Sequence, residues 1–72
     1  MKVKSLLKRF DNIRVHVHGP IWGDSVVCDS TEIKDTLMKD RIVKRAHIKN
    51  FNVYHEGFND YFIVQGLDIE VK

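Results

Sequence analysis

The stretch VHVHGPIWGD, residues 15–24, is where the chain's chemistry is densest. His16 and His18 stand two residues apart, and on a strand that spacing sends both imidazoles to one face. Such a pair can ligate zinc or another transition metal. A usable site needs a third ligand, and a structural one usually a fourth. The remaining candidates are Cys28, His47 and His55. The strand register argued below sets Cys28 on the opposite face and the other two histidines in a separate hairpin. Wet-face histidines with no metal are therefore the expectation.

Nothing else supports catalysis. The Cys28 thiolate is disfavoured by the neighbouring Asp29, the reverse of an activated nucleophile. There is no Gly-rich phosphate loop, no nucleophile elbow and no evident carboxylate pair. A non-enzymatic protein without cofactors is expected. Trp22 is a candidate contact residue, because Trp, Tyr and Arg are enriched among interface hot spots. The favoured expectation is nonetheless that the indole folds back over the sheet edge or the first helix, since a domain this small needs every large side chain.

The elements around these residues follow from periodicity. Val3, Leu6, Leu7 and Phe10 fall at i, i+3, i+4 and i+7, one apolar stripe of a short helix, and Asp11-Asn12 ends it. From Ile13 the period becomes two. Ile13, Val15 and Val17 alternate with Arg14, His16 and His18, a strand with one wet face. Ser25–Cys28 is its return partner across the Gly19–Asp24 turn. Pairing His18 with Ser25 buries Val15, Val17, Val26 and Cys28 together and sets Arg14 beside Asp29.

A short helix is expected next, with Asp29 and Glu32 at capping-box spacing or Ser30 as the cap. Ile33, Leu37 and Met38 form its apolar face, and Lys39-Asp40 its exit. Residues 41–54 and 61–72 then form a long hairpin around the loop 55–60. Pairing Tyr54 with Tyr61 sets Val53 against Phe62, Phe51 against Val64, Ile48 against Leu67 and Ala46 against Ile69. Arg45 then faces Glu70 and His47 faces Asp68. The apolar face changes sides near Asn50 and Gly66 on both strands at once. Either matched irregularities or strong coiling turns the ladder there, or the hairpin is apolar on opposite faces at its two ends. In the second case the Phe51, Val53, Phe62, Val64 end, or the Tyr54/Tyr61 side behind it, needs a cover. Self-association as a symmetric homodimer, or docking on a protein partner, is expected at the Phe51/Val53/Tyr54/Tyr61/Phe62 end.

The order α-β-β-α-β-β gives an α+β fold: one four-stranded antiparallel sheet of two hairpins, with two short helices on a face. Its 72 residues make one domain, 1–72. With 43% apolar and 31% charged residues the chain is globular. No apolar run approaches the ~18 residues of a membrane span, and no signal-peptide pattern precedes the first strand. One unpaired cysteine fits a reducing, cytoplasmic setting. The net charge of +2 names no partner, but Lys2, Lys4, Lys8 and Arg9 gather in the first ten residues without an acid.

VKSLLKRFDN, a strand-turn-strand, the TEIKDTL segment, DRIVKRAHI and a β-rich tail resemble the layout of small phage- and prophage-encoded proteins of Gram-positive bacteria. The resemblance covers nearly the whole chain. Some phage proteins of this size inhibit host defence, anti-CRISPR proteins among them, so it implies an inhibitor of a host enzyme. GPIW departs from the acidic, Gly-containing turn expected there, and no functional residue is carried over. Two function classes follow. One is a protein-binding module using Trp22 and the aromatic hairpin end. The other is a small nucleic-acid-binding protein using the basic first helix.

Overall fold

The computed structural model describes residues 1–72. Helix α1 spans Val3–Leu7, and the strands are β1 (Arg14–His18), β2 (Ser25–Asp29), β3 (Val43–His55) and β4 (Asp60–Val71). Between β2 and β3 run two 3-10 segments, Ser30–Asp35 and Leu37–Asp40. No helix is long and apolar enough to cross a membrane.

The sheet has the order β2-β1-β4-β3, and it is mixed: β1 and β4 run parallel, while both hairpins are antiparallel. The expected all-antiparallel sheet is corrected here, and the cause lies in the crossover. After β2 the chain does not turn straight back. The 3-10 segments climb the length of the sheet, burying Ile33 and Met38 on the way. At about 2 Å per residue they easily cover the ~17 Å of a five-residue strand. Strand β3 therefore starts at the end where β2 started, which makes β4 parallel to β1.

The register of each hairpin is the one the alternation argues for. Val15 faces Cys28 and Val17 faces Val26, and Tyr54 faces Tyr61, Phe51 faces Val64 and Ile48 faces Leu67. The only irregularity in the long ladder lies between Val43 and Arg45. One extra residue there, Lys44, returns Val43 to the core face opposite Val71.

One core holds this together. Val3, Leu7, Ile33 and Met38 from the helical layer cover Val15, Val17, Cys28, Leu67, Ile69 and Val71 from the sheet. The first helix is shorter than its stripe. It ends at Leu7, so Phe10 lies outside it and stays partly exposed. The second expected helix is also corrected. Thr36 is extended between the two 3-10 segments, accepting a hydrogen bond from the Met38 N–H and donating one to the Ile33 carbonyl. That break swings Leu37 out to 95% exposure. Asp29 makes no side-chain cap. Ser30 instead ties the segment down, accepting from the Ile13 N–H and donating to the Asp11 carbonyl.

Candidate interaction surfaces

The long hairpin outruns its sheet. Strand β1 pairs with β4 only from Gly66 to Glu70, so residues 50–65 project as a two-stranded ribbon of about 20 Å. The boundary is sharp because Gly66 accepts the start of β1 against it. A Cβ there would overlap the Arg14 carbonyl oxygen and come within 2.9 Å of Phe51.

Across positions 50 and 66 the ladder runs without a bulge, so side chains keep alternating and the apolar face does switch sides. Phe51, Val53, Phe62 and Val64 share the back face of the sheet with His16, His18 and Asp68, the face without helices. Tyr54, Tyr61 and Ile63 lie on the helical side, beyond the reach of α1. Phe10 and Ile13 close only the base, over Ile48, Gly66 and Leu67, leaving a hollow of about 130 Å³. Ile63 is 74% exposed, Phe58 70% and Tyr61 65%. Phe58 folds from the loop onto the back face, edge-on to Phe62 with ring centroids 5.4 Å apart and tilted against His55 at 5.1 Å. Of the five ribbon residues singled out from the sequence, Tyr54, Tyr61 and Phe62 are exposed, while Phe51 and Val53 are half-buried.

Trp22 sits at the other end of the molecule. Since β1 is parallel to β4, the Gly19–Asp24 turn lies beyond Glu70, opposite the 56–59 loop. The indole is 99% exposed, which overturns the expectation that it folds back. Its turn is nevertheless well anchored. Gly19 donates to the Asp24 carbonyl, Gly23 takes φ +85°, and the Asp24 carboxylate lies 2.9 Å from Arg41. Arg41 in turn donates to the Lys72 carbonyl. These bonds fix the backbone of the turn and leave no apolar surface near enough to cover Trp22.

The two histidines are also placed differently from expectation. On the back face they are half-buried and partnered. The His18 Nε2–H donates to Asp68 Oδ1 at 2.6 Å, and His16 Nδ1 lies 3.8 Å from Asp68 Oδ2. Lys49 reaches from β3 to within 3.4 Å of His16 Nδ1 and 3.6 Å of Asp68 Oδ2. Burial first, and the Lys49 ammonium second, push the His16 imidazole below its ordinary range, with Asp68 pulling the other way. Burial alone would raise Asp68, but the His18 hydrogen bond and the surrounding positive charge outweigh it and lower the carboxyl. The signal for this cluster was the parallel pairing of His16 with Asp68, which hairpin registers alone do not contain. His47, opposite Asp68 on β3, stays exposed, and Asp68 turns to β1 instead. No three His, Cys, Asp or Glu side chains converge in a metal-ligating arrangement. Cys28 is buried, and burial, Glu32 and Asp29 all raise its thiol.

The basic helix is partly spent. Lys4 and Lys2 lie 2.9 and 3.8 Å from Asp40, whose carboxyl is lowered by the Lys4 hydrogen bond. Lys8 and Arg9 make no ion pair. Arg45 pairs with Glu70 at 2.9 Å, and Arg14 with Asp29 at 3.7 Å.

Comparison with protein-family models, with curated proteins and with solved structures found no match to this chain.

Proposed function

We propose that this chain is a non-catalytic protein-binding module that acts by occupying a partner through its projecting hairpin. One observation carries the reading: the ribbon sets Phe51, Val53, Phe62 and Val64 on its back face and Tyr54, Tyr61 and Ile63 among Asn50, Asn52 and Gln65 on the other, and no element of the chain lies over either face beyond Ile48 and Leu67. A two-stranded hairpin alone in water is marginally stable, and a cover gives it the third layer it lacks. The layout resemblance would make the partner a host defence or nucleic-acid-processing enzyme and the module its inhibitor. Trp22 offers a second, separate contact at the far end of the molecule.

The test is capture of the partner from the native host, followed by titration of the purified partner. Phe58→Ala/Phe62→Ala should weaken binding about 30-fold or more, as loss of buried aromatic anchors does, and wild-type affinity should persist at raised salt. Unchanged affinity in that double variant would remove the reading. A steep fall with salt, together with binding to nucleic acid, would replace it with the basic-helix alternative. Of the four basic residues there, only Lys8 and Arg9 are free of ion pairs, and both lie past the helix end at Leu7, which is why the protein-partner reading is preferred.

A further inference from the structure

The outer edge of β4 opens a second question, independent of the side-chain faces. In the central sheet β4 lies between β1 and β3, but β1 stops opposite Gly66. From Asp60 to Gln65 half of the β4 backbone N–H and C=O groups therefore face away from β3 with no strand beyond them. The Tyr61 N–H has turned to the Asp60 side chain for a partner, at 2.7 Å. Natural edges are guarded by Lys, Pro, bulges or shortness. This edge, DYFIVQ, has no Lys, no Pro and no bulge, and its only charge is Asp60 at one end.

We propose that Asp60–Gln65 is a strand-pairing edge for a second copy of this chain. The two β4 strands would run antiparallel about a twofold axis on Phe62, which keeps the pairing short of Gly66 and Arg14, and join the hairpins into one four-stranded sheet. Three features favour a copy over another partner. The segment is self-complementary: a twofold centred on Phe62 keeps odd positions beside odd ones, so Tyr61 meets Ile63 on one face and Phe62 meets its own copy on the other. The twofold also keeps the two Asp60 carboxylates apart, each landing near Val64 of the other copy. Finally, the slot is in line with β1, so the acidic end of one hairpin, Glu56 and Asp60, comes up to Arg14 at the start of β1 in the other. This inference does not depend on the proposed function, because pairing by edges leaves Phe58 and Phe62 open on the back face.

A charge-swap experiment tests it. Ile63 is exposed within its own chain, so Ile63→Lys and Ile63→Glu should fold as the wild type does. Sedimentation equilibrium should show a wild-type dimer. Each variant alone should dissociate about tenfold or more readily, because like charges on long side chains then lie diagonally across the twofold, and an equimolar mixture should recover the dimer. Hydrogen exchange supplies the second readout. The outward amides between residues 61 and 65 should exchange slowly in the wild type and fast in Ile63→Lys. A monomeric wild type would overturn the proposal. So would a dimer in which those amides exchange as fast as in the variant, because association would then use a face and not the edge. Neither outcome touches partner binding, which is read with Phe58 and Phe62.

Discussion

The Nε2–H of His18 donates to Oδ1 of Asp68 at 2.6 Å, joining β1 to β4 across a parallel pair on the open face of the sheet. Only 13% of the Asp68 side chain is exposed, and it also faces His16 and Lys49. Asp68→Asn keeps the shape but gives up the charge. It should destabilise the fold by about 1.5–3 kcal/mol, the range for a hydrogen bond to a charged group, as read by urea unfolding at neutral pH. A variant as stable as the wild type would show that this pair contributes nothing net.

Stability should fall as the pH is lowered, and in two stages. His16 and Asp68 are both lowered in the folded state, so each binds its proton less readily folded than unfolded. A depressed group contributes stability that is complete above its unfolded pKa and is lost as pH falls towards its folded one. For His16 the loss begins below about pH 6.5, and for Asp68 below about pH 4. His16→Gln should flatten the upper stage in unfolding curves taken across that range. Lys49→Met should move the His16 imidazole titration upward in NMR, since the ammonium is one of the causes holding it down. A downward movement would mean that Lys49 acts on His16 mainly by changing its burial.

Gly66→Ala should be among the most damaging small substitutions in the chain. The new methyl meets backbone, the Arg14 carbonyl, and not a flexible side chain. Relief requires β1 to part from β4 at its first pair. A loss of about 1–3 kcal/mol is expected, the range for overpacking, with hydrogen exchange quickening first at Arg14–His16. Equal stability would mean the strand start can shift without cost.

Zinc should leave the melting temperature unchanged, because any ligand that binds only the folded state must raise it. His18 Nε2 is engaged by Asp68, and the Lys49 ammonium stands beside His16 Nδ1. A rise with stoichiometric zinc that disappears in His16→Ala/His18→Ala would reverse this assignment.

Trp22 fluorescence should be that of an indole in water and should shift to the blue when a partner covers the turn. Trp22→Ala should leave stability nearly unchanged, since the side chain touches no core. It should reduce partner affinity more than His16→Ala and His18→Ala combined, by about 2 kcal/mol if the indole is desolvated at an interface. Emission that stays unchanged on binding would confine the contact to the hairpin.

Local pattern was enough to determine the two hairpins. A one-residue slip would carry Val15, Val17 and Cys28, or Leu67 and Ile69, to the solvent side, so alternation fixes the parity of both registers. The turn lengths, with the Tyr54–Tyr61 and Arg14–Asp29 pairings, select the even shift. The same alternation marks the hairpin end that its own chain leaves uncovered, because the apolar positions change parity at Asn50 and Gly66. What tertiary structure decided is how the hairpins meet. Either direction of β4 beside β1 satisfies their apolar faces equally, and the path of residues 30–40 along the sheet selects the parallel one. From that single choice follow the meeting of His16 and His18 with Asp68, the open edge of β4 before Gly66, and the placing of Trp22 and the aromatic ribbon at opposite ends. Exposure of Trp22 and Leu37 was equally beyond the sequence, because burial depends on whether another element reaches the side chain, and for these two none does.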